Sequence, residues 1–148
     1  SFSLITSNLA LQWCHNLEGA LEEFRRILLP KGIAIFTTVI DGSLFELAEA
    51  WSKLDDRQHI LDFLNFKEVE RAAEGLNIEL YQYEEILKFP SILSHLRSLQ
   101  NVGATTLPER RAEGLRGRSL LTDLSNAYPK SGDLYPLTYK IALGVMKK

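Results

Sequence analysis

The sequence predicts an α/β fold, and three observations carry the prediction. An apolar run opens the chain at Phe2 and gives way to a polar turn near Asn8. A helical stripe follows over Leu17, Ala20, Leu21, Phe24, Ile27 and Leu28, and residues 32–39, Gly-Ile-Ala-Ile-Phe-Thr-Thr-Val, form a near-continuous β-branched run. Strand, helix and strand in this order make a βαβ unit, with parallel strands and a right-handed crossover. Ligands of such sheets sit beyond the carboxyl ends of the strands. Asn8, Leu9, Ala10 and Trp13 hold that position after the first strand and are the candidate cofactor contacts. A cap and a core indole are the plainer alternative for Asn8 and Trp13. The first strand reads as buried and begins at once, so the pattern predicts a chain that enters its sheet midway.

Each element has its own signal. Asn16 is placed to cap the first helix, whose other side carries Glu22, Glu23, Arg25 and Arg26. Leu29-Pro-Lys-Gly32 stops it, because proline cannot continue a helix and glycine accepts positive φ. The run at 32–39 is apolar enough for a strand covered on both faces. Ser43 with Glu46, and Asn65 with Glu68, have capping-box spacing. The first precedes a helix with Leu44, Leu47, Ala48, Trp51 and Leu54 on one stripe, and the second a short helix ending at Gly75. Residues 78–87 alternate with mixed polarity, as in an outer strand. Ser91 is placed to cap a helix bearing Ile92, Leu93, Leu96 and Leu99. Residues 103–118 read as a loop, followed by a helix with Leu120, Leu121, Leu124 and Ala127, and residues 137–146 read as a last strand.

Composition narrows the function classes. The 148 residues are 45% hydrophobic and 24% charged, with a formal net charge of -2, the balance of a single soluble domain. That charge gives no basic face for nucleic acid. The lone cysteine, Cys14, forms no intrachain disulfide, and one Cys with three scattered His has no zinc spacing, so no metal and a reducing, cytoplasmic setting are expected. No apolar run is long enough to span a membrane, and no membrane partner is expected. Cys14 beside His15 is not read as a catalytic pair, because adjacent side chains on regular elements point apart. His59 and His95 read as surface or packing residues.

Four separated runs carry a more specific signal: Asn8-Leu-Ala-Leu-Gln-Trp-Cys14; Phe36-Thr-Thr38 with Gly42-Ser43-Leu44; Arg97-Ser-Leu99 followed by Val102-Gly-Ala-Thr105; and Tyr135-Pro-Leu-Thr-Tyr139. In this order they resemble the BioC family, the malonyl-acyl-carrier-protein O-methyltransferases of biotin synthesis, which are class I S-adenosylmethionine-dependent enzymes. The resemblance covers essentially the whole chain. It implies the carboxyl-terminal half of a Rossmann-like methyltransferase sheet, with about four mixed strands, an antiparallel last strand and helical insertions. Residues 1–148 are then one truncated domain without the glycine-rich turn that holds the cofactor. Gly114-Leu-Arg-Gly117 follows no strand and does not replace that turn. S-adenosylmethionine is accordingly expected in a full-length parent, with weak or absent binding to these 148 residues alone.

The resemblance implies methyl transfer to the free carboxylate of a malonyl thioester, with malonyl-acyl-carrier protein or malonyl-coenzyme A as partner. No catalytic base is assigned, because a carboxyl group of pKa about 4 is already ionised at neutral pH. Holding it calls for a forked cation, and Arg97 is the candidate; an ordinary exposed arginine is the alternative. Tyr135 and Tyr139 are further substrate candidates, with aromatic packing as the alternative. Arg110, Arg111, Arg116 and Arg118 offer either a steering surface for an acidic carrier or a solvated loop diluted by Glu109 and Glu113. Two other functions remain open: a non-catalytic interaction module, and a methyltransferase with a small-molecule substrate. An unpaired first strand would favour a homodimer or association through its edge.

Overall fold

The structure, a computed structural model, describes residues 1–101 and 115–148, side chains excepted at 100, 101 and 115–118. In chain order the elements are β1 (Phe2–Ser7), a 3-10 turn (Leu11–Trp13), α1 (Leu17–Ile27), β2 (Leu28–Val39), α2 (Phe45–Ser52), α3 (Phe66–Ala72), β3 (Ile78–Phe89), α4 (Ile92–Asn101), α5 (Leu115–Ala127) and β4 (Tyr135–Lys147). The sheet order is β1-β2-β4-β3. β1 and β2 are parallel, and β2 and β4 antiparallel from Ile33↔Lys147 to Val39↔Ile141. The expected mixed four-stranded sheet with its antiparallel last strand is therefore present, and the outer strand expected at 78–87 extends to Phe89. The chain divides into two compact units.

The first unit comprises Ser1–Ser43, Phe63–Glu85 and Tyr139–Lys148. Its core joins Leu17 and Leu21 of α1, Ala34 and Phe36 of β2, Val69 of α3, and Ala142 and Met146 of β4. Each large apolar side chain buried here stabilises by about 1.5–3 kcal/mol. The caps form as the sequence predicts. Asn16 Oδ1 accepts from Gly19 N at 2.9 Å, and Asn65 with Glu68 closes a capping box.

Three expectations for this unit need correction. β1 is not buried: Phe2 is 56% and Leu4 57% exposed. β2 is covered on one face only, since Ala34 and Phe36 are fully buried while Ile33 and Ile35 are 38% and 39% exposed. Finally, the Leu29–Gly32 turn is part of β2, and its positive φ belongs to Lys31 (66°). Gly32 is needed for closeness, because a Cβ there would lie 2.8 Å from Leu29 O and 3.2 Å from Phe2 O. The irregularity absorbs surplus length: β2 advances from Leu28 to Ile33 while β1 advances from Phe2 to Leu4.

The second unit comprises Leu44–Asp62 and Ile86–Thr138. Leu44, Leu47, Ala50, Leu96, Leu99, Leu124 and Leu137 are fully buried in it. The expected Ser43–Glu46 capping box does not form. Leu44 precedes α2 with φ 57° and no side-chain cap. Glu46 turns instead to β4, where its Oε2 accepts from Thr138 N at 3.1 Å and its Oε1 from the Thr138 hydroxyl. Ser43 Oγ is taken by Lys140 N at 2.8 Å. Ala48 is exposed, and Ala50 takes its place on the buried stripe of α2. Ser91 Oγ accepts from Ser94 N at 3.2 Å, as expected of a cap. Leu93 is 42% exposed, however, and His95 fills the buried side of α4 in its place. α5 begins at Leu115, so the loop expected through residue 118 ends earlier. The rest of that stretch, with Arg110 and Arg111, lies outside the described residues, as do the side chains of Arg116 and Arg118.

Candidate functional site

β1 ends at Ser7, and residues 8–13 turn away beyond its carboxyl end. A small polar network shapes this turn. Leu9 N donates to both Thr37 O (3.1 Å) and Thr37 Oγ1 (3.0 Å), and Thr37 Oγ1 donates to Asn8 Oδ1 at 2.6 Å. Leu9 is thereby held at φ 48°, a left-handed conformation that costs a leucine roughly 1–2 kcal/mol and so needs such support. Gln12 Nε2 pins the far side by donating to Leu9 O at 2.6 Å. The remaining oxygen, Gln12 Oε1, is buried without a hydrogen-bond donor. Such an atom is costly unless something outside the chain supplies a donor.

Of the four expected cofactor contacts, Asn8 and Leu9 belong to this network, Ala10 stands exposed at the start of the 3-10 turn, and Trp13 is 44% exposed on its last residue. Trp13 is thus not a core indole. Gln12 and Thr37 received no role from sequence. Both lie inside the runs that carry the resemblance, and that position is the signal that could have found them.

The substrate candidates divide between the units. Arg97, on α4 in the second unit, is exposed and makes no hydrogen bond or ion pair among the described residues. Tyr135, also in the second unit, is 8% exposed, with its hydroxyl 2.6 Å from Ser125 Oγ and Lys130 Nζ 5.0 Å from its ring centroid. The Ser125 hydroxyl beside it lowers its phenol pKa, with burial opposing and Lys130 adding to the lowering. Tyr139 belongs to the first unit and is half-buried; burial pushes its phenol up, so it stays a neutral donor.

The second unit also holds a buried polar chain. His95 is fully buried with Nε2 2.9 Å from Tyr128 Oη, and Tyr128 donates to Pro136 O at 2.6 Å. Since the Tyr128 proton goes to Pro136, His95 carries its proton on Nε2. Its Nδ1 is buried without a partner, and burial lowers the imidazole pKa to about 4. His59 is the other histidine with a defined setting: it stacks on Trp51 at 4.0 Å, with Nε2 2.7 Å from Asp55 Oδ1.

Among the described residues no helix is long and apolar enough to cross a membrane, and no three metal-ligating side chains converge. Residues 1–36 match the family described as Methyltransferase domain. The malonyl-[acyl-carrier protein] O-methyltransferases of Yersinia pestis, Pectobacterium atrosepticum and Salmonella typhimurium are 41%, 42% and 39% identical to this chain, over 99%, 95% and 99% of it. The chain spans 55%, 55% and 59% of their lengths. In fold it is similar to protein YcgJ of Bacillus subtilis (TM-score 0.56, 18% identity, 100% of this chain and 64% of that one). It is also similar to protein BH2331 of Bacillus halodurans, assigned as a methyltransferase (TM-score 0.55, 14% identity, 99% and 70%). Rossmann-like in its sheet, the chain is similar along almost its whole length to a little over half of the malonyl-[acyl-carrier protein] O-methyltransferases.

Proposed function

We propose that this chain serves S-adenosylmethionine-dependent methylation of the free carboxylate of a malonyl thioester. The single observation that carries this reading is identity near 40% along almost the whole chain to enzymes bearing that name. Acyl-carrier protein is the proposed carrier, and the lone exposed cysteine suits a reducing cytoplasm.

When bound, the cofactor supplies a methyl group made electrophilic by its sulfonium. The strand-end turn of the first unit fits such a ligand. Asn8, Leu9, Ala10 and Trp13 line it, and the orphaned Gln12 Oε1 offers an acceptor to one of the cofactor's amino groups. Thr37 and Gln12 act as positioning residues by fixing Leu9 from two sides. Arg97 has the charge, freedom and fork geometry to hold the substrate carboxylate. Tyr139 offers a hydroxyl donor. Tyr135, engaged with Ser125, serves by packing and orientation. Because the nucleophile is already an anion at neutral pH, the reaction needs alignment and exclusion of water and no general base.

The test compares the 148-residue chain with the same chain joined to the stretch that its relatives carry beyond the match. Each is titrated with S-adenosylmethionine and assayed with malonyl-acyl-carrier protein and malonyl-coenzyme A. The short chain should bind the cofactor weakly or not at all. The joined form should methylate the malonyl carboxyl, preferring the carrier protein. Arg97→Ala in that form should cut transfer at least tenfold with cofactor affinity unchanged. Undiminished transfer removes Arg97 from the site, and a joined form that binds the cofactor but leaves malonyl thioesters unmethylated overturns the substrate assignment.

A further inference from the structure

We propose that Lys130, Tyr135 and Ser125 form a phosphate site in the second unit, and that it grips the phosphate group of the pantetheine arm that carries the malonyl thioester. The inference rests on the carrier-borne substrate proposed above and deepens it, giving Tyr135 a ligand beyond its packing role.

The turn after α5 builds the site. Ser131 N donates to Leu134 O at 2.9 Å and Leu134 N to Ser131 O at 3.2 Å, around Gly132 at φ 62°. Residues that flank such an antiparallel bridge fall opposite one another, so the turn folds Lys130 back beside Tyr135. Its Nζ accordingly lies 5.0 Å from the Tyr135 ring centroid. The ring is held from two other sides. Tyr128 packs on it with centroids 5.6 Å apart, and Ser125 of α5 meets its hydroxyl at 2.6 Å. Tyr135 is buried, Ser125 half-buried and Lys130 exposed, so the cluster runs from the packed interior to the surface with its cation outermost.

Proton counting shows what this cluster lacks. Two hydroxyls bring two hydrogens, and their mutual bond consumes one. Neither hydroxyl has another acceptor among the described residues. Lys130 and its turn neighbour Asp133 form no ion pair among the described residues, with each other or elsewhere. A spare O–H and an unneutralised ammonium thus meet at one spot, and together they call for an anion. The local field already favours negative charge there: the Ser125 hydroxyl lowers the Tyr135 phenol pKa, with burial opposing and Lys130 adding to the lowering.

The donor set also selects among anions. A forked guanidinium matches a planar carboxylate, whereas a point-charge ammonium beside hydroxyl donors suits a tetrahedral oxyanion. Arg97 has the first character and Lys130 the second, and both belong to the second unit. The proposed substrate carries both groups, a carboxylate at its reacting end and a phosphate at the end of its arm.

The test titrates the 148-residue chain with phosphopantetheine and with pantetheine, and reads amide and tyrosine ring signals by NMR. The phosphate-bearing arm should bind about fivefold more tightly, shift the signals of Ser125, Lys130 and Tyr135, and be displaced by inorganic phosphate but not by malonate. Because a bound anion opposes phenolate, inorganic phosphate should raise the Tyr135 phenol pKa, read in tyrosinate absorbance as the difference between wild type and Tyr135→Phe. Lys130→Ala should abolish the preference and Lys130→Arg keep part of it. Lys130 is exposed, so both variants should retain the parent's circular dichroism. Equal affinity for the two arms, an intact preference in Lys130→Ala, or displacement by malonate as effective as that by phosphate overturns the proposal. Holo-acyl-carrier protein and coenzyme A separate the two sources of such an arm: the site serves the one whose binding Lys130→Ala weakens more, and weakening of neither overturns it. Phosphate-dependent binding by a joined form that leaves malonyl thioesters unmethylated keeps this inference and sinks the transfer reading. Methylation without any phosphate preference does the reverse.

Discussion

Phe36 and Gly144 face each other across β2 and β4, and the phenyl ring fills the space that any side chain at 144 would need. A Cβ built on Gly144 would lie 2.2 Å from Phe36 Cζ and 2.3 Å from Cε1. The ring is fully buried at the centre of the first unit. The glycine therefore allows the largest core side chain of this unit to lie flat over the neighbouring strand.

Gly144→Ala should destabilise the chain by about 1–3 kcal/mol through overpacking. Urea unfolding will show the loss as a lower midpoint. Combining it with Phe36→Leu should recover part of the loss, because the two sites touch and their effects are not additive.

Thr37→Val removes a hydroxyl that serves Leu9 N and Asn8 Oδ1 while keeping the side-chain shape. The expected cost is about 1 kcal/mol. The local effect should exceed the global one, with Leu9 amide exchange accelerating more than exchange within β2. Equal acceleration at both would mean that Thr37 does not fix the strand-end turn.

Glu46→Gln keeps the size of the side chain and an acceptor for the Thr138 N–H, but its NH2 meets the Thr138 hydroxyl only if that hydroxyl turns from donor to acceptor. The site is buried, with Glu46 4% and Thr138 2% exposed. The exchange should cost about 1 kcal/mol, read as a lower melting temperature. Glu46→Met, which leaves the Thr138 N–H without its acceptor, should cost more, about 1–3 kcal/mol.

His95 makes stability pH-dependent. Its pKa falls from 6.5 to about 4 on burial, so the unfolded chain takes up its proton first as pH drops. The contribution is complete above pH 6.5 and is lost as pH falls toward 4, the loss amounting to about 3 kcal/mol at the acid end. Denaturant titrations at pH 7.5 and pH 5 should separate wild type from His95→Gln, whose stability should change less between them.

The sequence made the βαβ unit, the caps at Asn16, Asn65 and Ser91, and the position of residues 8–13 legible, because each depends on local spacing. What it missed depends on contacts far along the chain. Ser43 and Glu46 have the spacing of a capping box, yet Lys140 N and Thr138 outcompete the helix end for their side chains. His95 was open to a surface or a packing role, and only the fold decides that Leu93 faces out while His95 faces in. The β-branched run of β2 argued for cover on both faces, and here Ile33 and Ile35 have it on one. Gln12 was invisible as a site residue because its meaning lies in the carbonyl of Leu9, whose direction depends on Thr37 in the next strand.

Lys31 holds a left-handed backbone on the protein surface and is exposed to solvent. Drift to asparagine or glycine at that position would relieve conformational energy and retain the N–H bonded to Lys148 O at 2.7 Å. The tight junction between α1 and β2 therefore constrains backbone shape more than side chain, so that exchanging its most contorted residue for one that tolerates positive φ leaves the shape intact.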